Sequence, residues 1–184
     1  MSKQIVLVGR SNVGKSTLFK QLTGKWVKVG RRPGVTVSPG RAQKGNILYV
    51  DMPGYGYMHR VPKKVQEGTK DFIVRYMEEN RDEILLAIQV IDAASFLEIA
   101  DRWEGKGEVP VEIEMWEFLK DLELNPVLAA NKMDRVINQD QVLDWIVERL
   151  GMEPPWTGWT GVIAPISAKT GQIEPLRKII QSRL

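Results

Sequence analysis

The sequence predicts an α/β fold in which a mostly parallel central sheet lies between two layers of helices. Three observations carry that prediction. Short apolar runs of strand length alternate along the chain with stretches whose apolar residues recur at helical spacing. A glycine-bearing polar run joins the first apolar stretch to the first helical one. The remaining polar motifs also follow strand-like runs, and open α/β sheets place their ligand crevice at such strand ends.

The elements follow in order. Ile5-Val6-Leu7-Val8 reads as the first strand, Ser16 to Thr23 as a helix, and the chain then loops to about Pro39. Gln43 to Asp51 reads as one strand, and a helix is expected within Lys63 to Asn80. Ile84 to Ile91 is almost wholly apolar, as a parallel strand buried on both faces should be. Val111, Met115, Phe118, Leu119 and Leu122 share one helical stripe with acids between them. Val142, Ile146 and Leu150 repeat that pattern, as do Ile173, Leu176 and Ile180. The runs Val127-Leu128-Ala129-Ala130 and Val162-Ile163-Ala164 supply two further strands. With 184 residues, 43% of them apolar, the chain is expected to form a single domain over 1–184 with one sizeable core.

Gly9-Arg10-Ser11-Asn12-Val13-Gly14-Lys15-Ser16, continued by Thr17, is a complete G-x-x-x-x-G-K-[ST] phosphate loop between a strand and a helix. Its glycines let backbone N–H groups turn toward phosphate oxygens, and the helix start adds the positive end of its dipole. Lys15 would reach the β- and γ-phosphates, and the Ser16 hydroxyl would complete the coordination of Mg²⁺. Asp51-Met52-Pro53-Gly54 ends a strand-like run. Its aspartate can hold a metal-bound water, and the Gly54 N–H can meet a γ-phosphate with no side chain in the way. Upstream, Gly34-Val35-Thr36 lies in a turn-rich loop, where Thr36 is the natural second hydroxyl on the metal, with a plain turn threonine as the competing reading. Ser16, Thr36 and Asp51 are thus the expected metal set.

The base is specified by Asn131-Lys132-Met133-Asp134, after a strand-like run. A carboxylate only accepts hydrogen bonds, so Asp134 suits guanine, whose ring N–H and exocyclic amine are adjacent donors. Adenine lacks that pair. Asn131 is expected to bond the other edge of the base, and the stem of Lys132 to pack on ring and ribose. Ser167-Ala168-Lys169 forms a second loop whose Ala168 N–H could meet the guanine carbonyl. In isolation, Asn-Lys-x-Asp is also an ordinary helix-start turn. After a phosphate loop, in this order, it reads as a guanine site.

Together these residues resemble the translation-factor-like small GTPases over nearly the whole chain. The phosphate loop and Asp51-Met52-Pro53-Gly54-Tyr55-Gly56-Tyr57 look like the EngB (YihA) family of GTP-binding proteins. That resemblance implies a three-layer P-loop GTPase domain, a role in assembly of the large ribosomal subunit, and in bacteria a requirement for normal cell division and septation. The chain departs from the bacterial pattern in starting close to its first strand and in carrying Asn131 where many bacterial members have threonine.

Catalysis is the unusual part. In Ras-like GTPases a glutamine after Asp-x-x-Gly orients the attacking water. Here that position is Tyr55, so a slow intrinsic rate is expected, with Lys15 stabilising transition-state charge and Thr36 and Gly54 framing the γ-phosphate. Asn12, midway in the phosphate loop, has two open readings. By resemblance to a cation-activated class it would help seat K⁺ beside the phosphates. By ordinary turn chemistry it shapes the loop.

Charge is the second signal. Residues 1–50 hold Lys3, Arg10, Lys15, Lys20, Lys25, Lys28, Arg31, Arg32, Arg41 and Lys44 without one acid, while the whole chain is only +3. A basic surface across residues 20–45 fits ribosomal RNA or a ribosomal subunit as partner, beside GTP and GDP; solvation of an exposed face is the plainer reading. The chain has no cysteine, which excludes disulfides and thiolate metal sites. It has no apolar run of the ~18 residues a membrane span needs, and the strand beginning near the N-terminus leaves no room for a secretory signal. A cytoplasmic monomer is expected. The lone His59 reads as a solvated loop residue, and Trp156 and Trp159 as packing a long loop, with RNA stacking as their alternative use. Three functions fit: a GTPase switch on ribosomal RNA, a GTP-dependent docking module in division, and a GTPase of translation or RNA modification.

Overall fold

The computed structural model describes residues 3–26, 38–56 and 63–184. Among these residues six strands form one sheet in the order β2-β3-β1-β4-β5-β6: β1 Lys3–Gly9, β2 Gly40–Lys44, β3 Ile47–Asp51, β4 Ile84–Asp92, β5 Val127–Asn131 and β6 Ile163–Pro165. Of these described strands, β2 alone runs antiparallel to its neighbour. The helices are α1 Lys15–Thr23, α2 Lys63–Glu79, α3 Phe96–Glu104, α4 Val111–Asp121, α5 Gln139–Arg149 and α6 Glu174–Arg183.

The alternation of side chains along a strand explains the layers. Ile5 and Leu7 of β1 face one side, where Leu18, Phe19 and Leu22 of α1 and Leu176 and Ile180 of α6 cover them. Val6 and Val8 face the other, packed with Ile73 and Met77 of α2 and Met115 and Leu119 of α4. Leu128 and Ala130 of β5 meet Leu143, Ile146 and Val147 of α5 and Phe96 of α3 on that same side. All four core residues of β1 are fully buried, and each contributes about 2 kcal/mol by leaving water.

Two features differ from the sequence reading. The strand expected from Gln43 to Asp51 is the hairpin β2–β3, because Gly45 takes φ 57° and turns the chain between Lys44 and Ile47. Helix α3 was not expected. Its signals are local and short: Ser95 before it, Phe96 and Ala100 buried one turn apart, and Gly105 after it.

Parallel registry aligns the strand ends that matter. Leu7 pairs with Asp51, Gly9 with Val90, and Asp92 with Asn131, so the ends of β1, β3, β4 and β5 share one edge of the sheet. Among the described residues, no helix is long and apolar enough to cross a membrane.

Candidate functional site

The phosphate loop leaves β1 at Gly9 and enters α1 at Lys15. Asn12 takes φ 68° and Gly14 φ 91°, left-handed conformations that asparagine tolerates and glycine adopts freely. A Cβ on Gly14 would also collide with the Asn131 amide nitrogen. Helix α1 has no side-chain cap among the described residues, so its first N–H groups are available to an anion. Arg10, Ser11, Asn12, Gly14, Lys15, Ser16, Thr17 and Gly54 enclose a cavity of about 470 Å³.

Lys15 is 6% exposed and anchors the wall of that cavity. Its ammonium lies 2.5 Å from Asp51 Oδ1 and also bonds the Met52 carbonyl. Asp51 is fully buried at the end of β3, and a buried carboxylate requires a paired charge. Lys15, expected to reach the β- and γ-phosphates, here neutralises Asp51. The other carboxylate oxygen accepts from Ser16 Oγ at 3.1 Å. Two hard oxygen ligands side by side at a phosphate cavity fit Mg²⁺, which commonly takes one or two protein groups and fills its shell with water and phosphate. No cluster of three or more metal-ligating side chains occurs among the described residues.

On the base side, Gly14, Thr17, Asn131, Lys132, Asp134, Arg135, Ala168 and Lys169 line a cavity of about 200 Å³. The Asn131 amide donates to the Val13 carbonyl at 2.8 Å and accepts from the Ala168 N–H at 2.9 Å. Through these bonds Asn131 joins the phosphate loop to the second base loop, and the Ala168 N–H meets its side chain. Lys132 sits at φ 67°, and its ammonium bonds the Asn12 carbonyl at 2.8 Å and Asp92 Oδ2 at 2.5 Å. Ser167 Oγ donates to Asp134 Oδ1 at 2.6 Å, and this bond, aided by Arg135 and Lys169, holds the Asp134 carboxyl below its usual range. The ionised, accepting form is thus favoured.

Other expected residues fall into groups. Val13, Met52 and Met133 turn their side chains into the core, so they belong to the site through their backbones. Pro53 connects Met52 to Gly54 and is buried. Gly34, Val35, Thr36, Lys28, Arg31, Arg32, Tyr57 and His59 lie outside the described residues. Tyr55 does occupy the position after Gly54, but its ring is 1% exposed in the core rather than facing the cavity. Its N–H donates to the Gly9 carbonyl at 3.3 Å and its carbonyl accepts from the Ser11 N–H at 3.1 Å. Burial first, then Glu112, pushes the phenol well above its usual value, with Arg10 opposing, so it stays neutral. Trp156 and Trp159 close a short 3-10 turn beside α5: the Trp156 indole donates to Asp140 Oδ1 at 2.9 Å and that of Trp159 to the Glu153 carbonyl at 2.8 Å. That is the packing use.

Sequence reasoning missed Asp92 and Glu112. Asp92 ends β4, beside Asn131 in the register, and strand-end position was its only signal.

Comparison with known proteins adds to this geometry. The family described as 50S ribosome-binding GTPase matches residues 4–132. A probable GTP-binding protein EngB of Methanosarcina barkeri is 46% identical over 186 residues, covering 100% of this chain and 89% of the relative. A crystal structure of a probable GTP-binding protein engB superposes with a TM-score of 0.89 at 41% identity, covering 98% of this chain and 97% of that one. A structure of Era in complex with MgGDPNP and nucleotides 1506-1542 of 16S ribosomal RNA gives a TM-score of 0.65 at 26% identity, covering 100% of this chain and 57% of that one.

Proposed function

The chain belongs to the 50S ribosome-binding GTPase family, and within it to the EngB GTP-binding proteins; from that membership we propose that its GTP hydrolysis drives a slow switch in assembly of the large ribosomal subunit. It binds guanine nucleotide and hydrolyses GTP as that family does. In the proposed site the phosphate loop from Gly9 to Thr17 holds the phosphates and Asp134 holds the base. Ser16, Asp51 and Thr36 coordinate Mg²⁺, and Gly54 meets the γ-phosphate. The metal, when bound, neutralises charge on the β- and γ-oxygens. Residues 1–184 act as one G domain in the cytoplasm. In bacteria the same switch would bear on cell division and septation.

The observation that supports an RNA partner best is the distribution of charge. Ten bases and no acid fall within residues 1–50. Arg10 and Lys15 are paired internally, whereas Lys3, Lys20, Lys25, Arg41 and Lys44 are exposed. Lys20 lies 4.6 Å over the ring of Trp26, which is 63% exposed, and Lys44 bonds the Leu22 carbonyl, so Lys20, Trp26 and Lys44 gather at the end of α1 beside β2. Arg41 instead lies over the Tyr76 ring on the other face of the sheet. Co-sedimentation with ribosomal subunits in GTP and in GDP, at low and high salt, tests the reading. Binding is expected to prefer GTP and to fall steeply with salt; Arg31→Glu with Arg32→Glu should weaken it and flatten the salt slope by about two released counterions. Wild-type binding and slope in that double variant would remove RNA from the account and favour the second reading, a module that docks a protein in division.

We further propose that K⁺ assists hydrolysis beside Asn12. A monovalent cation there would offset charge developing between the phosphates, at a site where Tyr55 supplies no side chain to the cavity. Turnover in KCl is expected to exceed that in NaCl about tenfold at equal ionic strength, and Asn12→Ala should abolish the difference. Equal rates in both salts would leave Asn12 as a residue that shapes the loop.

A further inference from the structure

A buried polar cluster lies behind the phosphate loop. The Arg10 guanidinium leaves the loop and meets Glu112, on the first turn of α4, with Nη1 3.1 Å from Oε1. Glu112 is 3% exposed, and its backbone carbonyl accepts from Nε2 of the fully buried Gln89 of β4 at 2.7 Å. Arg10 also lies against Gly56. A Cβ built on Gly56 would stand 3.1 Å from Arg10 Nε and 3.4 Å from its Cγ, and the glycine has φ 86°. Tyr55, one residue earlier, is tied to the loop by its two backbone hydrogen bonds.

Among the described residues, four buried side-chain polar atoms have no hydrogen-bond partner: Tyr55 OH, Gln89 Oε1, Glu112 Oε2 and Trp116 Nε1. All four belong to this neighbourhood. Tyr55 is close enough to Glu112 and Arg10 for both charges to act on it, and Trp116 is one helical turn beyond Glu112. Protein interiors pair nearly all such atoms. Here the hydroxyl and the indole N–H are donors, and the amide and carboxylate oxygens are acceptors. The inventory is matched but unused, as in a cluster that makes its bonds in a second arrangement.

We propose that Glu112 is a positioning residue for GTP hydrolysis, acting through Arg10 on the Tyr55–Gly56 backbone, and that α4 thereby registers the nucleotide state. The inference rests on Gly54 being the γ-phosphate donor. Gly54 is joined directly to Tyr55 and through it to Gly56, so a shift of Gly54 toward the γ-phosphate pulls on the Tyr55–Gly56 backbone. The Arg10 side chain lies where a Gly56 side chain would stand, so movement of Gly56 toward Arg10 presses on the guanidinium and is felt at Glu112. In the second arrangement the Tyr55 hydroxyl and the Trp116 indole take up the free oxygens of Glu112 and Gln89. Tyr55 contributes through the placement of its backbone, in keeping with a ring that faces the core.

Glu112→Gln keeps the shape and removes the charge. Three quantities are read: affinity for a fluorescent GDP and GTP, single-turnover hydrolysis, and Trp116 emission in GDP against a non-hydrolysable GTP analogue, isolated by subtracting Trp116→Phe. Hydrolysis is expected to fall about tenfold to a hundredfold, affinities to stay within about twofold, and the nucleotide-dependent change in Trp116 emission to vanish. Glu112→Asp, which keeps the charge on a shorter arm, should show the same split to a smaller degree, and it decides the matter if Glu112→Gln does not fold. Wild-type hydrolysis with a wild-type Trp116 response in the folded variants would make the pair a structural contact and overturn the proposal. Gly54→Ala tests the premise separately: unchanged hydrolysis there would overturn the γ-phosphate assignment and this inference with it.

Discussion

Asp134→Asn is expected to lower affinity for GTP about a hundredfold and to raise that for xanthosine triphosphate by a similar factor. The carboxylate matches the two donors of guanine, whereas the amide of asparagine donates where xanthine presents a carbonyl. The change is conservative in shape, so the fold and the Ser167 contact should persist. Competition titrations with the two triphosphates give the answer, and unchanged GTP affinity with no gain for xanthosine triphosphate would end the base assignment. Acid adds a second arm. Because the Ser167 hydroxyl depresses the Asp134 carboxyl, the accepting form is present above that lowered value and is lost only as pH falls through it. Ser167→Ala lets the carboxyl return toward its ordinary range, so GTP affinity should begin to fall at higher pH than in the wild type. Coincident acid profiles would show that the hydroxyl does not govern recognition.

Lys15→Met is expected to abolish detectable GTP binding and to destabilise the protein by about 3–5 kcal/mol. The second effect follows from Asp51, fully buried, which would keep only Ser16 as a side-chain partner among the bonds described. Adding Asp51→Asn removes the stranded charge and should restore most of the stability while leaving nucleotide binding lost. Denaturant midpoints with and without nucleotide separate the two roles. A Lys15→Met protein as stable as the wild type would mean that Asp51 finds other compensation and that the pair is not a structural contact.

What the sequence made legible was whatever chemistry confines to a short segment. The phosphate loop and Asn131–Asp134 each need particular residues at fixed spacing, and both flank strands whose apolar runs are plain. The hairpin turn at Gly45 was masked by apolar and polar residues continuing on either side, and α3 by the brevity of its apolar stripe. The contacts that join the site are different in kind. Lys15 with Asp51, Asn131 with Ala168 and Arg10 with Glu112 span 36, 37 and 102 positions, and only the folded sheet brings them together. The inward direction of Tyr55 is a consequence of packing and has no local pattern. The expectation for Gly34, Val35 and Thr36 falls outside the described residues.

The two outer strands limit how this protein can meet another chain. Among the described residues β2 and β6 are the sheet edges, and an open edge ordinarily invites a foreign strand to zip onto it. Strand β6 is three residues long and ends on Pro165, which has no N–H to offer. Strand β2 exposes Arg41, Gln43 and Lys44, and a cation is a poor neighbour for an incoming apolar strand. Amyloid-like pairing and strand addition are thus discouraged at both ends, which leaves recognition to side chains and loops.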